Sequence, residues 1–179
     1  MTNVVFDIET DGLDATKIWC LAVTDPDTGE TKTYGPTQLV EGLACLDNAE
    51  KLIGHNIIGF DLPVIKKLHN IDLMQGKKIV DTLVLSRLFN PTREGGHGLE
   101  SWGYRIGMGK IDFDQFEYYT PEMLNYCRND VVLNSKVFNN LKIESRGFSR
   151  KSVEIEHESL KIIADQRDRG FMLDVQKAS

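Results

Sequence analysis

The pattern of apolar positions first becomes clear at residues 4–10, where β-branched and aromatic residues predict a strand that ends at the turn Asp11-Gly12. Similar runs at 18–24 and 31–34 predict two further strands, separated by a turn that contains Pro26 and Gly29. Three consecutive strands with short connections predict an antiparallel meander at the start of the chain.

After Gly35-Pro36 the pattern changes to helices that alternate with short strands. The predicted helices cover 38–47, 62–69, 82–89, 99–106, 121–141 and 150–168, and the predicted strands cover 51–56 and 78–80. The predicted helix caps are Thr37, Asp61, Asp81 and Thr120, and Gly170 ends the last helix. A meander followed by this alternation predicts an α/β fold, a mixed sheet of antiparallel and parallel strands flanked by helices. Residues 1–145 are predicted to form the domain, and residues 146–179 a helical extension.

Composition narrows the class of protein. A hydrophobic fraction of 41% and a charged fraction of 27% are typical of a globular chain. We expect no membrane span and no signal peptide, and Cys20, Cys45 and Cys127 are expected to be reduced thiols of a cytoplasmic protein. The net charge of −6 argues against a broad basic surface for nucleic acid, but it leaves open an enzyme that accepts a strand end through bound cations.

The first candidate site lies within the first strand. Asp7 and Glu9 are two residues apart, so both carboxylates leave the same face of a strand. Adjacent carboxylates on a buried strand repel one another, and a hard divalent cation such as Mg²⁺ or Mn²⁺ relieves that repulsion. The alternative is an accidental pair in which one carboxylate is solvated at the strand end.

Two later segments carry further carboxylates. Asn56 is predicted to end a strand and Asp61 to begin a helix, although Asp61 could be a simple N-cap. Tyr126 and Asp130 are one turn apart on the long helix and therefore neighbours on one face. The alternative for this pair is an exposed Asp beside a Tyr that packs in the core.

These three motifs, D-x-E, N-x(4)-D and Y-x(3)-D, resemble those of the DEDD 3′–5′ exonucleases in the variant that carries Tyr. The resemblance is to the proofreading domains of family A DNA polymerases, and within them to the polymerases of short-tailed bacteriophages, through the segments 81–88 and 99–105. It implies a ribonuclease-H-like fold and hydrolysis of terminal phosphodiesters of DNA to nucleoside 5′-monophosphates. It also implies two divalent cations, Mg²⁺ or Mn²⁺, as cofactors.

The resemblance assigns roles to residues. It implies that Asp7 bridges the two cations, that Glu9 and Asp130 complete the site of the attacking water, and that Asp61 serves the second cation. Tyr126 would orient the water, because a phenol with a pKa near 10 is a poor base at neutral pH. The expected substrate-binding residues are Thr10, Leu13 and Asn56. For Leu13 the alternative is a turn residue that covers the core.

Other conspicuous residues are expected to be structural. Asp81 is predicted to be a helix N-cap, His97 a loop residue near the channel for the strand end, and Trp102 and Tyr104 packing residues. Residues 155–174 resemble the segment that leads family A polymerases from exonuclease to polymerase domain. The chain would therefore be a separate exonuclease, one part of a split polymerase, or a fragment.

The expected partners are DNA with single-stranded or frayed 3′ ends and a separate polymerase chain. Two other functions stay open. One is an inactive assembly module of a split polymerase, which the complete set of carboxylates disfavours. The other is the same chemistry on RNA.

Overall fold

A computed structural model describes residues 2–178 of the chain. Five strands form one sheet: β1 (Asn3–Thr10), β2 (Ile18–Thr24), β3 (Thr31–Tyr34), β4 (Lys51–Gly54) and β5 (Lys78–Asp81). Their order across the sheet is β3-β2-β1-β4-β5, which puts β1 in the centre. β1 and β2 are antiparallel, as are β2 and β3, whereas β4 runs parallel to β1 and β5 parallel to β4. The predicted meander and the mixed sheet are therefore confirmed.

The described residues also form seven helices: α1 (Leu39–Asp47), α2 (Asp61–His69), α3 (Thr82–Phe89), α4 (Leu99–Ile106), α5 (Pro121–Glu144), α6 (Arg150–Arg169) and α7 (Val175–Ala178). A 3₁₀ turn at Ser145–Gly147 separates α5 from α6. None of the helices in the described part of the chain has the length and apolarity that a membrane crossing requires.

The two faces of β1 bury different layers. Val4, Phe6 and Ile8 lie on one face and pack with residues of α1 and α2. Val5 lies on the other face and packs with Cys127 and other residues of α5. Because side chains alternate along a strand, Asp7 and Glu9 share the α5 face with Val5. The carboxylates therefore lie between β1 and α5, on the face of the sheet that α5 covers.

Several predicted boundaries were wrong. α1 begins after Gln38, so Thr37 does not cap it. β4 ends at Gly54, and Asn56 lies beyond it in a turn with a left-handed φ of 64°. Asp61 is the first residue of α2 and the N-cap position is Phe60, because the Asp61 side chain is used elsewhere. The caps at Asp81 and Thr120 and the end of α6 at Gly170 are confirmed.

α6 packs on the rest of the chain through a buried histidine. His157 is 5% exposed, and its Nε2 accepts a hydrogen bond of 2.9 Å from the backbone N–H of Asp81, at the end of the edge strand β5. Its Nδ1 faces the carbonyl of Val153 at 2.8 Å. The helix thus covers the edge of the sheet. The division into a domain at 1–145 and an extension at 146–179 stays a prediction.

Candidate active site

The centre of the site is the carboxylate pair on β1. Glu9 is 7% exposed, and a β-bulge between Glu9 and Thr10 interrupts the ladder with β2 at the same point. Ligand atoms of Asp7, Glu9 and the Cys127 thiol lie within 4.8 Å of one another. The thiol donates to the Asp7 carbonyl at 3.5 Å, and burial raises its pKa well above the usual range. A thiol that stays protonated is a poor ligand, so the carboxylates are the groups of this cluster that could hold a cation.

Two further carboxylates come from helices on either side of the sheet. Asp61 is 4% exposed, and its Oδ1 accepts a hydrogen bond of 3.2 Å from the backbone N–H of Ile8, which lies between Asp7 and Glu9. Asp130, on α5, is also 4% exposed. The structure therefore brings all four predicted acidic residues to the end of β1. The alternatives of a plain N-cap for Asp61 and an exposed Asp130 do not hold.

Burial and mutual repulsion raise the pKa of each carboxylate. Burial, followed by the charges of Glu9, Asp61 and Asp130, raises the pKa of Asp7 well above its ordinary value. Burial raises the pKa of Glu9 to about 8 and that of Asp61 to about 7. It also raises the pKa of Asp130, against an opposing effect of Lys110. A cluster of buried carboxylates that resists ionisation gains strongly from a positive charge in its midst.

The donor set fits a hard divalent cation. All four groups are carboxylates, which suit Mg²⁺ and Mn²⁺. The buried Oδ1 of Asp130 has no hydrogen-bond partner within the described residues. An unpaired buried carboxylate oxygen costs free energy, and coordination to a cation would remove that cost. The resemblance implied such cations, and the geometry agrees with it.

Sequence reasoning missed Lys110. Its Nζ forms an ion pair with Asp130 Oδ2 at 2.8 Å and lies 4.8 Å from the centre of the Tyr126 ring. It lies in the irregular segment between α4 and α5. This segment has no periodic hydrophobic pattern from which the position of Lys110 could be predicted. One signal was available, because Lys110 is the only cation in the otherwise acidic stretch 107–117.

Tyr126 faces the cluster from the first half of α5. It is half-buried, and its ring packs against Phe113 and Phe116 at centroid distances of 5.4 and 6.2 Å. Burial raises its pKa to about 12. The phenol therefore keeps its proton at neutral pH.

The expected substrate-binding residues, Thr10, Leu13 and Asn56, differ in exposure and in local contacts. Thr10 is 6% exposed, and its hydroxyl donates to the Gly12 carbonyl at 2.9 Å. Leu13 is 93% exposed, so it covers no core. Asn56 is exposed, and its backbone N–H donates to Asp81 Oδ1 at 3.0 Å.

Asp81 does more than the predicted cap. Besides accepting from Leu83 and Val84 of α3, it accepts from Asn56 and Ile58 in the loop that leads to Asp61. Its side chain is 0% exposed. One carboxylate thus holds the start of a helix and the loop of the second motif together.

Of the predictions for aromatic residues, the one for Trp102 is confirmed and the one for Tyr104 is wrong. Trp102 is 2% exposed and packs in the core as expected, whereas Tyr104 is 77% exposed and does not. His97 lies in the loop before α4, with Nδ1 2.9 Å from the Ser86 hydroxyl. All three cysteines are free thiols.

Comparisons with known proteins agree with this geometry. The family model described as RNase_H superfamily matches residues 4–102, which include Asp7, Glu9 and Asp61. The DNA-directed DNA polymerase of Escherichia phage T7 is 27% identical over 97% of this chain and 34% of its own length. The DNA polymerase of Mycobacterium phage D29 is 26% identical over 95% of this chain and 33% of its own length. The chain thus spans about a third of the curated relatives it matches.

Among solved structures, Brucella melitensis NrnC with bound Mg²⁺ superposes with a TM-score of 0.73 at 18% identity, covering 95% of this chain and 87% of NrnC. At this identity the likeness concerns the fold. The resemblance to the DEDD exonucleases is confirmed, and nuclease is the class of enzyme that the family and the relatives support. The family model covers more than half of the chain, and the chain belongs to the RNase_H superfamily.

Proposed function

We propose that the chain is a metal-dependent 3′–5′ exonuclease that hydrolyses terminal phosphodiesters of DNA and releases nucleoside 5′-monophosphates. One observation carries the proposal: β1, α2 and α5 bring three buried carboxylates, Glu9, Asp61 and Asp130, to the half-buried Asp7, and burial raises the pKa of all four. Such an arrangement costs stability when empty, which is typical of a functional site.

The four carboxylates would hold two divalent cations, Mg²⁺ or Mn²⁺. When bound, the cations would lower the pKa of a coordinated water and neutralise charge that develops on the phosphate and on the leaving 3′-oxygen. Asp7 would contribute to both positions, because it lies within the set and feels the charges of Glu9, Asp61 and Asp130. Asp61 is fixed to the strand by the Ile8 amide, so its placement does not depend on the substrate.

The other residues would orient the reactants. Tyr126 keeps its proton and would hydrogen-bond the attacking water from α5. Thr10 and Asn56 lie at the two motif loops and would contact the terminal nucleotide. Leu13 would press its exposed side chain against the terminal base. Single strands or frayed 3′ ends are the proposed substrates.

DNA is proposed because the relatives aligned over nearly the whole chain are DNA polymerases. The proposed setting is proofreading or replication, with a polymerase as partner, and 1–145 as the exonuclease domain. A second candidate substrate is a short RNA, since a solved structure of Brucella melitensis NrnC is described as bound to pGG.

The test uses end-labelled single-stranded DNA and RNA of the same sequence, with Mg²⁺, Mn²⁺ or EDTA. We expect stepwise shortening of DNA from the 3′ end that requires a cation. Products shortened from the 5′ end, or equal loss in EDTA, would contradict the proposal. Faster shortening of RNA would transfer it to the second candidate.

A further inference from the structure

A cation-lined groove lies at the end of the sheet opposite the carboxylates. The parallel strands β1, β4 and β5 begin at Asn3, Lys51 and Lys78, whereas the proposed active site lies toward the ends of β1 and β4. The groove has a volume of about 480 Å³ and lies between β5 and α6. A second groove of the same volume adjoins it, and both are lined by Lys51, Lys77 and Lys78.

Two of these lysines are direct neighbours on adjacent strands. Lys51 and Lys78 are register partners in the parallel ladder of β4 and β5. Like charges placed opposite one another in a sheet repel and destabilise it. Neither side chain forms an ion pair within the described residues. The fold itself gains nothing from this pair, whereas a bound anion would relieve its repulsion.

The other charges of the groove leave a positive excess. Lys161 pairs with Glu158 at 2.7 Å, and the Lys77 ammonium donates to the carbonyls of Asp47 and Ala49, with an Asp47 carboxylate oxygen at 3.8 Å. Within residues 2–178, the cations of the lining that form no ion pair are Lys51, Lys78 and Arg150, and the carboxylates that form none are Glu50 and Glu154. The lining therefore has an excess of positive charge, although the net charge of the chain is −6.

We propose that this groove is a second contact for nucleic acid and binds backbone phosphates of the strand whose 3′ end is hydrolysed. The proposal rests on the proposed function. Lys and Arg side chains are the usual partners of backbone phosphates. Two adjoining grooves that share three lysines fit a chain of successive phosphates better than one isolated anion. Asn3 and Asp7 are four residues apart, or about 13 Å along a strand. At about 3.4 Å per phosphate along one strand, a strand that reaches both places would span at least about four nucleotides.

The test compares Lys51→Gln/Lys78→Gln with Lys136→Gln/Lys151→Gln, a control that removes two exposed lysines outside the groove and changes the net charge equally. Binding of an oligonucleotide of about 30 nucleotides is measured in EDTA at several salt concentrations, where no hydrolysis occurs. The groove variant should bind roughly tenfold more weakly at low salt, and its slope of log K against log salt should be smaller by about 1.4. Its melting temperature should equal or exceed the parent's, because a like-charge pair is removed.

Hydrolysis supplies an independent readout. The groove variant should cleave a dinucleotide at the parent's rate and show a raised KM for the long oligonucleotide. Binding by the groove variant equal to that of the control overturns the proposal and would point to an acidic protein segment as occupant. If the chain hydrolyses neither DNA nor RNA, the proposed function is wrong. The binding comparison in EDTA still shows whether the groove binds nucleic acid.

Discussion

Among single residues, the acidic cluster is unusual because the protein neutralises so little of it. Lys110 pairs with Asp130, and within the described residues Asp7, Glu9 and Asp61 form no ion pair. Buried carboxylates in this situation share protons or bind a cation. Both the stability of the chain and its chemistry should therefore depend on pH and on divalent cations.

The first prediction concerns pH in the absence of metal. Glu9 and Asp61 have folded-state pKa values of about 8 and 7, above their unfolded values, so the folded chain binds more protons than the unfolded chain near neutrality. Stability must then fall as pH rises through these values. His55, whose pKa burial lowers to about 4, has the opposite effect only below its unfolded value of 6.5. We expect the melting temperature in EDTA to fall between about pH 6.5 and 8.5.

Differential scanning fluorimetry across that range checks the prediction. Glu9→Gln should flatten the dependence, whereas Glu117→Gln, at an exposed position, should not. Mn²⁺ should restore stability most at the alkaline end, where the carboxylates are ionised. A melting temperature that rises with pH in EDTA would contradict the assignment of raised pKa values.

A second prediction separates the two kinds of residue in the site. Asp7→Ala should lower exonuclease activity by several orders of magnitude, because it removes charge at the reacting centre. Tyr126→Phe should lower it by about 10²-fold or less, as expected for one hydrogen bond to a reactant. Asp112→Ala, in the exposed segment nearby, is the control.

Single-turnover rates on single-stranded DNA, together with melting curves, provide the measurement. Asp7→Ala should remain folded in EDTA, since it removes a repelling carboxylate. Parent-like activity in Asp7→Ala would refute the site, and a loss in Tyr126→Phe as complete as that in Asp7→Ala would give the phenol a larger role.

Among the elements, α6 connects the extension to the catalytic motifs. The apolar residues of α6 are only partly covered: Ala164 is 6% exposed and Leu160 packs against the core, but Ile163 is 57% exposed. His157 is the buried anchor instead. Near the other end of the helix, Arg167 donates to the Gly59 carbonyl at 2.9 Å, within the loop that leads to Asp61.

The third prediction follows from that anchor. His157→Ala leaves the backbone N–H of Asp81 without a buried partner, which costs about 1–3 kcal/mol. The melting temperature should fall by roughly 2–12 °C for a chain of this size. Ile162→Ala, on the exposed face of the same helix, should change it little.

Thermal unfolding of the three proteins at one pH and concentration decides the point. Deletion of residues 149–179 should lower stability further and loosen the loop at 56–60, because both anchors are lost. Equal melting temperatures for His157→Ala and Ile162→Ala would mean that the hydrogen bond to Asp81 stabilises nothing.

At the scale of the whole molecule, the carboxylates lie between the central strand β1 and the helices α2 and α5. The 3′ end of a DNA strand must therefore separate from its complement before it can reach them. Unpairing the terminal nucleotide costs a few kcal/mol, and less at a mismatch. The fourth prediction is that single strands and mismatched 3′ ends are shortened faster than matched blunt ends. Single-turnover rates on three substrates of one sequence test it, and three equal rates would argue against a proofreading site.

The sequence predicted what depends on local pattern. Alternation along β1 placed Asp7 and Glu9 on one face, and one helical turn placed Tyr126 beside Asp130. The second role of Asp81 was not predictable, because its loop partners Asn56 and Ile58 are more than twenty residues away. Lys110 lies in a segment without periodicity, and His157 anchors through a backbone amide that no side-chain pattern records.

The two oxygens of Asp81 accept from four backbone amides: Oδ1 from Asn56, Leu83 and Val84, and Oδ2 from Ile58. An asparagine has the same shape but only one accepting oxygen, and its amide nitrogen would meet the N–H of Ile58, donor against donor. The replacement that appears most conservative is therefore the one that the loop cannot tolerate. Which side chains can replace Asp81 depends on the number of hydrogen-bond acceptors they offer and not on their volume.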